Sequence, residues 1–375
     1  MSLLLDEHRH YLADRPRVAA LTRAIHATVR PGDVVLDLGC GTGVLGLIAC
    51  QAGASRVYAV DHGGMIEVAR AIARHAGLTD RITHIAGHST SIDLPERADV
   101  LIFDQIGRLG FEAGLLEFAL DARRRLLKPD ARVVPGPVRL RMALATSDDI
   151  RARIEFWSQT PAGIDTSPAR ATAGNTGYPV EPESATLLSA HAEIVALEPA
   201  SWQGEALSGT ATLVATRDAR VDGLAGWFDA ELSPGVHMSN APDLDTRIDR
   251  RFALLPFDPP LDLVAGESVD VRVRLLPSVM ILTWEAQTAS GERRAHSTWQ
   301  GMLPVTEELA RTRDAAVPAL TARGEARRTV LELCDGHRTV REIEQQVFAR
   351  HRDLFAAEED AAVFAAEVLS VYARS

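Results

Sequence analysis

The chain is short of several things, and each shortage removes a class of protein. Lys128 is the sole lysine among 40 basic residues, acids number 51, and the formal charge is −11. With no positive surplus there is no general attraction to a phosphate backbone or an anionic bilayer, so neither nucleic acid nor membrane is an expected partner. Cys40, Cys50 and Cys334 are an odd set without metal or redox spacing, as expected of small buried thiols in a reducing compartment. His62, His84 and His88 also lack the spacing of a metal site, and none is expected. No apolar run approaches the ~18 residues of a membrane span, and Leu3 to Leu5 are too few for a secretory signal, so a cytoplasmic protein is expected.

What is present is a chain of 375 residues, 46% hydrophobic, long enough for roughly two or three domains with cores of their own. Residues 33–61 carry most of the functional information. The apolar run Val34 to Leu38 reads as a buried parallel strand, and Gly39, Gly41 and Gly43 let the backbone pass close to a ligand. A helix starting near Val44 then points its N-terminal amides at the crevice where open α/β sheets bind ligands. Gly41, Gly43 and Gly46, with Asp61 twenty residues after Gly41, also satisfy the dinucleotide fingerprint. Asp37 decides between the two ligands. Two residues before Gly39, it would repel a pyrophosphate but suits the ammonium of S-adenosylmethionine (SAM). Asp61, ending the second strand, is placed to accept the ribose hydroxyls, and Ser89 and Thr90, after the third strand, lie where the adenine is expected.

A helix at about 64–76, strands at Arg81–Ala86 and Asp99–Asp104, a helix at about 112–127 and extended Arg132–Thr146 continue the alternation. It specifies a doubly wound, Rossmann-like parallel sheet. Pro135 and Pro137 break it. Short alternating strands follow over Leu187–Thr216, Gly226–Leu232, Asp262–Leu275 and Val279–Thr288, as in an antiparallel β-barrel-like domain. Residues 157–185, rich in Pro, Thr, Ala and Gly, read as a loop. From about Leu309 the composition turns helical, with a Thr339–Glu342 capping box and Phe364, Val368 and Tyr372 at helical spacing. The expected domains are 1–135, a SAM-binding Rossmann-like unit, 136–305, a β-barrel-like substrate unit, and 310–375, a small helical unit.

Val35 to Val44, the following Ala52-Gly53-Ala54, and a β domain after the Rossmann-like one resemble the protein arginine methyltransferases. The resemblance covers about residues 3–290 and includes the Val134-Pro135 junction and the Trp227-Phe228-Asp229 strand. It implies that Arg9, in Asp6-Glu-His-Arg9, holds the SAM carboxylate, and that a segment about 156–185, entered at Phe156-Trp157, is the arm of a homodimer. Ile164, Tyr178 and Val180 are apolar side chains that a lone loop would leave wet. In the family two glutamates of one loop grip a substrate guanidinium, whose pKa above ~12 prevents simple deprotonation. The resemblance carries these catalytic positions to Asp104 and Glu112. Asp104 is a methylene shorter than glutamate, and Arg108 adds a cation to the loop, opposing a guanidinium and drawing a carboxylate or leaving Asp104 beside a neutral amine. The family's threonine-histidine-tryptophan loop falls at Thr246–Arg251, which reads Thr-Arg-Ile-Asp-Arg-Arg.

Arg328 to Ile343 resembles the PqqD-like domain, the recognition element that captures leader peptides of ribosomally made natural products. Its strands, to which a leader adds by β-augmentation, are not evident here. The combined expectation is a SAM-dependent methyltransferase acting on a peptide or protein, such as a natural-product precursor, with N-methylation first. The alternatives are a small-molecule N- or O-methyltransferase with a structural C-terminal cap, and a degenerate methyltransferase serving as a peptide-binding scaffold.

Overall fold

The structure is a computed structural model describing residues 4–304, 306–311 and 313–373, so Leu3 lies outside the described residues. It divides into two compact units, residues 1–302 and 303–375. Two helices, α1 (Leu4–Ala13) and α2 (Arg15–Thr28), begin the first unit. Asp14 caps α2 by accepting the Arg17 amide, and Pro16 sits in its first turn, where a missing amide hydrogen does no harm. Helix α2 buries Ala20, Leu21, Ala24 and Ile25, whereas α1 buries none of its residues.

Strands β1 (Val34–Leu38), β2 (Arg56–Asp61), β3 (Ile82–Ala86), β4 (Ala98–Ile102) and β5 (Leu127–Val134) form a sheet in the order β3-β2-β1-β4-β5, all pairs parallel. All five residues of β1 are buried, as an apolar run covered on both faces requires. Helices α3 (Val44–Ala52), α4 (Met65–His75) and α5 (Leu115–Arg125) follow β1, β2 and β4. The order reverses between β1 and β4, which opens the crevice at their carboxyl ends.

The extended run expected over 132–146 is two strands in two sheets. Strand β5 ends at Val134, and β6 (Val138–Thr146) starts an antiparallel one. Pro135 and Pro137 bring no amide hydrogens, so the ladder stops there. After helices α6 (Asp148–Glu155) and α7 (Arg170–Gly174) come β7 (Tyr178–Val180), β8 (Thr186–Leu187), β9 (Ala192–Leu197) and β10 (Leu207–Val214). The remaining strands of this unit are β11 (Ala219–Ser233), β12 (Val236–Ser239), β13 (Phe252–Leu263), β14 (Ser268–Leu276), β15 (Ile281–Thr288) and β16 (Arg293–Ser297). One sheet runs β7-β13-β11-β6-β8, with β9 on β6 and β12 on β11, and the other β10-β14-β15-β16. Fully buried Trp227 and Trp284 anchor these sheets, the Trp284 indole donating to the Pro256 carbonyl at 2.8 Å.

Residues 157–185, expected as a loop, carry α7 and β7. Strand β7 pairs with β13, placing Val180 opposite Phe252, and the Tyr178 hydroxyl donates to the Ala173 carbonyl at 2.9 Å. Of the three apolar side chains that a lone loop would leave wet, only Ile164 is exposed, at 65%, Tyr178 and Val180 being covered within the chain. A three-residue strand shows no periodicity, and it exists only because the β13 edge supplies its partners.

Residues 303–375 hold α8 (Thr306–Arg311), α9 (Ala322–Leu333), α10 (Val340–Arg350) and α11 (Glu358–Tyr372). The Thr339–Glu342 capping box forms as expected. Ala326, Val330, Ile343, Val347, Phe364 and Val368 share one core, while Tyr372 stays exposed. The described residues of this unit contain no strand, hence no sheet edge for a leader peptide to extend.

Candidate active site

A cleft of about 990 Å³ opens at the reversal point, lined by the glycine turn, Asp61, Asp104, Gln105, Arg108 and residues of α1 and of the 249–251 loop. Gly39 and Gly41 have φ of 70° and 52°, and a β-carbon would meet the Gln105 amide in the first case and the His8 ring in the second. Only glycine fits either place. Asp61 braces the turn from below, Oδ2 accepting the Gly41 amide and Oδ1 the Gly63 amide, both at 2.8 Å. Each oxygen keeps a second lone pair.

Asp37 is 1% exposed; its Oδ2 accepts the Gly46 amide at 2.8 Å and its Oδ1 has no partner. Burial pushes this carboxyl up to about 7, the Gly46 amide pulling it down and Asp61 pushing it further up. An orphaned carboxylate oxygen at the root of a glycine turn fits a cationic group seated there, such as an ammonium. Burial also raises the Cys40 thiol, leaving it an inert apolar side chain.

Other expected cofactor residues are placed less directly. Arg9 lines the cleft but is exposed on α1, paired with Asp6 at 2.7 Å. Ser89 and Thr90 form a short turn against α5; the Ser89 carbonyl accepts Arg125 at 2.7 Å, and the Thr90 hydroxyl lies 2.8 Å from His88 Nδ1. Glu117 of α5 has both carboxylate oxygens buried without partners, and burial raises its pKa. In the sequence it is one more acid in a helix's first turn.

The two acids expected to share an acceptor are not aimed at one point. Glu112 accepts the backbone amides of Arg108 and Leu109, the latter at 3.1 and 3.0 Å, and its carboxylate fills the space beside Gly107. It holds the loop in shape and does not line the cleft. Asp104 does line it, 8% exposed, and holds a guanidinium of the chain itself. Its Oδ2 accepts Arg17 Nε at 2.7 Å and lies 2.6 Å from Arg17 Nη2, with Arg250 Nη2 at 3.5 Å. Oδ1 is buried and unpartnered. Arg250 also donates to the Gly107 carbonyl at 3.0 Å. Its loop is tied to the N-terminal helices, the Asp249 amide donating to Asp14 at 2.8 Å and the Asp249 carboxylate lying 3.5 Å from His10. Arg108 is exposed in the cleft with no ion-pair partner among the described residues. Sequence reasoning missed Arg17, although Asp14-Arg15-Pro16-Arg17 repeats the acid-to-arginine spacing of Asp6 and Arg9. Arg250 lay within the 246–251 loop that the resemblance singled out, unassigned. Among the described residues no cluster could hold a metal ion.

A doubly wound sheet with a glycine turn, a strand-terminal acid and an appended antiparallel β domain defines a SAM-dependent methyltransferase, and residues 35–130 match the family model described as a methyltransferase domain. The chain is 32% identical over 275 residues to the arginine N(omega)-methyltransferase of Streptomyces achromogenes subsp. streptozoticus, covering 71% of this chain and 75% of that one. It is 34% identical over 163 residues to probable protein arginine N-methyltransferase 6 of Arabidopsis thaliana, covering 43% of this chain but only 37% of that protein. The solved Trypanosoma brucei PRMT1 enzyme-prozyme heterotetrameric complex with AdoHcy superposes with a TM-score of 0.68 at 25% identity, covering 77% of this chain and 97% of that one. The chain belongs to the arginine N-methyltransferase family, and its cofactor is SAM.

Proposed function

We propose that this enzyme methylates a nitrogen of a peptide or protein, with a ribosomally made precursor peptide as its natural substrate. The observation behind this reading is that one cleft is lined by both the glycine turn and Asp104, so cofactor and acceptor share one space. Bound SAM supplies an electrophilic methyl group on a sulfonium. Asp37 faces its ammonium, Gly39 and Gly41 let it approach the backbone, Asp61 takes the ribose hydroxyls, Arg9 the carboxylate, and Ser89 and Thr90 border the adenine. Asp104 orients the acceptor nitrogen, Glu112 shapes the loop, and Arg108 draws a substrate carboxylate.

In functional terms the chain divides into a SAM domain (1–135), a substrate domain (136–305) and a peptide-recognition unit (310–375) that works through its helices. Two copies associate in the cytoplasm through the arm, where Phe156 and Ile164 are exposed at 42% and 65%. No helix among the described residues is long and apolar enough to cross a membrane. A second reading, methylation of a small molecule, is favoured by the Streptomyces relative, whose name specifies arginine without protein.

The test offers radiolabelled SAM with precursor peptides from neighbouring genes, arginine-rich peptides and free arginine. Label on a precursor peptide is expected. Label confined to free arginine would replace the peptide reading with the second one, and absence of both transfer and SAM binding would reject both.

A further inference from the structure

The loop from Asp104 to Glu112 borders the acceptor space, yet neither of its acids offers an open oxygen. Glu112 turns its carboxylate to the amides of Arg108 and Leu109. Asp104 Oδ2 is taken by Arg17, with Arg250 beside it, and Oδ1 is buried. The cleft's acids on the facing elements are engaged as well, Asp6 with Arg9, Glu7 with the Tyr11 hydroxyl and Asp249 with His10. A guanidinium brings only N–H donors, so it needs oxygens to hold it. Two other polar side chains of the loop line the cleft, Gln105 and Arg108, and an arginine can only donate. Gln105 is the one with an acceptor to give.

Its placement fits that use. Gln105 follows Asp104 in the chain and lays its amide against the cofactor turn: a β-carbon on Gly39 would collide with Nε2 and have Cδ 3.5 Å away, whereas Oε1 lies beyond 4 Å. The nitrogen rests on the turn and the carbonyl oxygen is directed off it. Unlike Asp104 Oδ1, that oxygen is open to solvent, and it has no hydrogen-bond partner among the described residues.

We infer that Gln105 is the side chain that receives the acceptor guanidinium, its carbonyl oxygen accepting an N–H of the nitrogen to be methylated. This rests on the reading of the protein as a nitrogen methyltransferase and names the group that recognises the acceptor. Because the same amide leans on Gly39, Gln105 ties the position of the acceptor to that of the cofactor, the alignment that in-line transfer requires. The nitrogen lone pair forms the new N–C bond as the methyl C–S bond breaks with its electron pair leaving on sulfur. The substituted nitrogen then gives up one proton to water, so the product guanidinium keeps a single positive charge. A carboxamide oxygen is directional but uncharged, so it orients the nitrogen without adding an acid to the loop.

The experiment uses the full-length enzyme with SAM and two acceptors, free arginine and an N-acetylated peptide carrying a single arginine. Mass spectrometry locates the methyl group. Gln105→Met keeps the side chain's length and removes its hydrogen bond; kcat/KM for the acceptor should fall by about tenfold to a hundredfold, the scale of one hydrogen bond to a charged group, while KM for SAM stays within about twofold. Gln105→Glu, which keeps an oxygen at the same reach, should remain within about threefold of wild type in kcat/KM, the scale of exchanging one acceptor oxygen for another. If wild type methylates neither acceptor, their affinities for the protein loaded with S-adenosylhomocysteine are compared, and the same order of variants is expected. Acceptor kinetics or affinity unchanged in Gln105→Met overturn the inference, as does an equal loss in Gln105→Met and Gln105→Glu, the mark of a purely structural role. Wild type that binds SAM but neither methylates nor binds an arginine acceptor also overturns it. Failure to bind SAM would instead count against the parent reading.

Discussion

Asp37 makes cofactor affinity depend on pH in a calculable way. In the free protein burial pushes its carboxyl up to about 7, and its Oδ1 has no partner. A ligand ammonium placed beside it favours the carboxylate and draws the pKa back toward the ordinary range near about 4. The proton held by the free protein below neutrality must then leave on binding. If the bound-state value is about 4, linkage weakens binding about twofold at pH 7, about tenfold at pH 6 and about a hundredfold at pH 5, relative to the ionised limit. The ligand ammonium, with α-amino groups titrating near about 8, stays charged across that window and adds no slope of its own. Isothermal titration calorimetry with SAM at pH 5 to 7, in buffers of different ionisation enthalpy, reads both quantities: affinity should fall with acidity, and close to one proton should be released near pH 6. Asp37→Asn should bind weakly with a flat profile. The same raised pKa favours the folded, protonated state in acid, a contribution present below about pH 4 and lost as pH rises through about 7, so the asparagine variant should also lose that slope in stability. An unchanged affinity from pH 5 to 7, or zero proton release in the wild type, would refute the placement of a cation at Asp37.

Asp61→Asn puts an amide NH₂ against either the Gly41 or the Gly63 amide and should weaken SAM binding by about 1–3 kcal/mol; titration within twofold of wild type would remove Asp61 from the cofactor site. Ile164→Glu, at a side chain 65% exposed on the arm, should convert a dimer to a monomer in light scattering without lowering the melting temperature; a wild-type monomer at tens of micromolar, on the order of weak association constants, contradicts the dimer. Truncation after Met302, the boundary between the two compact units, should leave SAM affinity unchanged and raise KM for a precursor peptide. Unchanged KM would make residues 303–375 a passenger.

The cofactor half was legible because its chemistry is local. A buried apolar strand, a turn that only glycine can make and an acid at a fixed distance are all set by consecutive residues; Gly39, Gly41 and Asp61 line the crevice, while Asp37 is buried and bonded to the Gly46 amide. The capping box at Thr339 and the switch of sheets at Pro135 and Pro137 were readable for the same reason. The acceptor half was not local. Arg17 meets Asp104 across 87 residues of sequence and Arg250 meets it across 146, contacts that exist only because α2 and the loop before β13 close over one strand end. Strand β7 likewise needed the edge of β13 before its three residues had a reason to extend. Sequence by itself determined the sheet, the turn and the cofactor, since backbone conformation and burial follow from neighbours along the chain. Which cations surround Asp104, and which oxygen they leave free, was decided by tertiary packing, because side-chain electrostatics depend on distances in space that no spacing in sequence encodes.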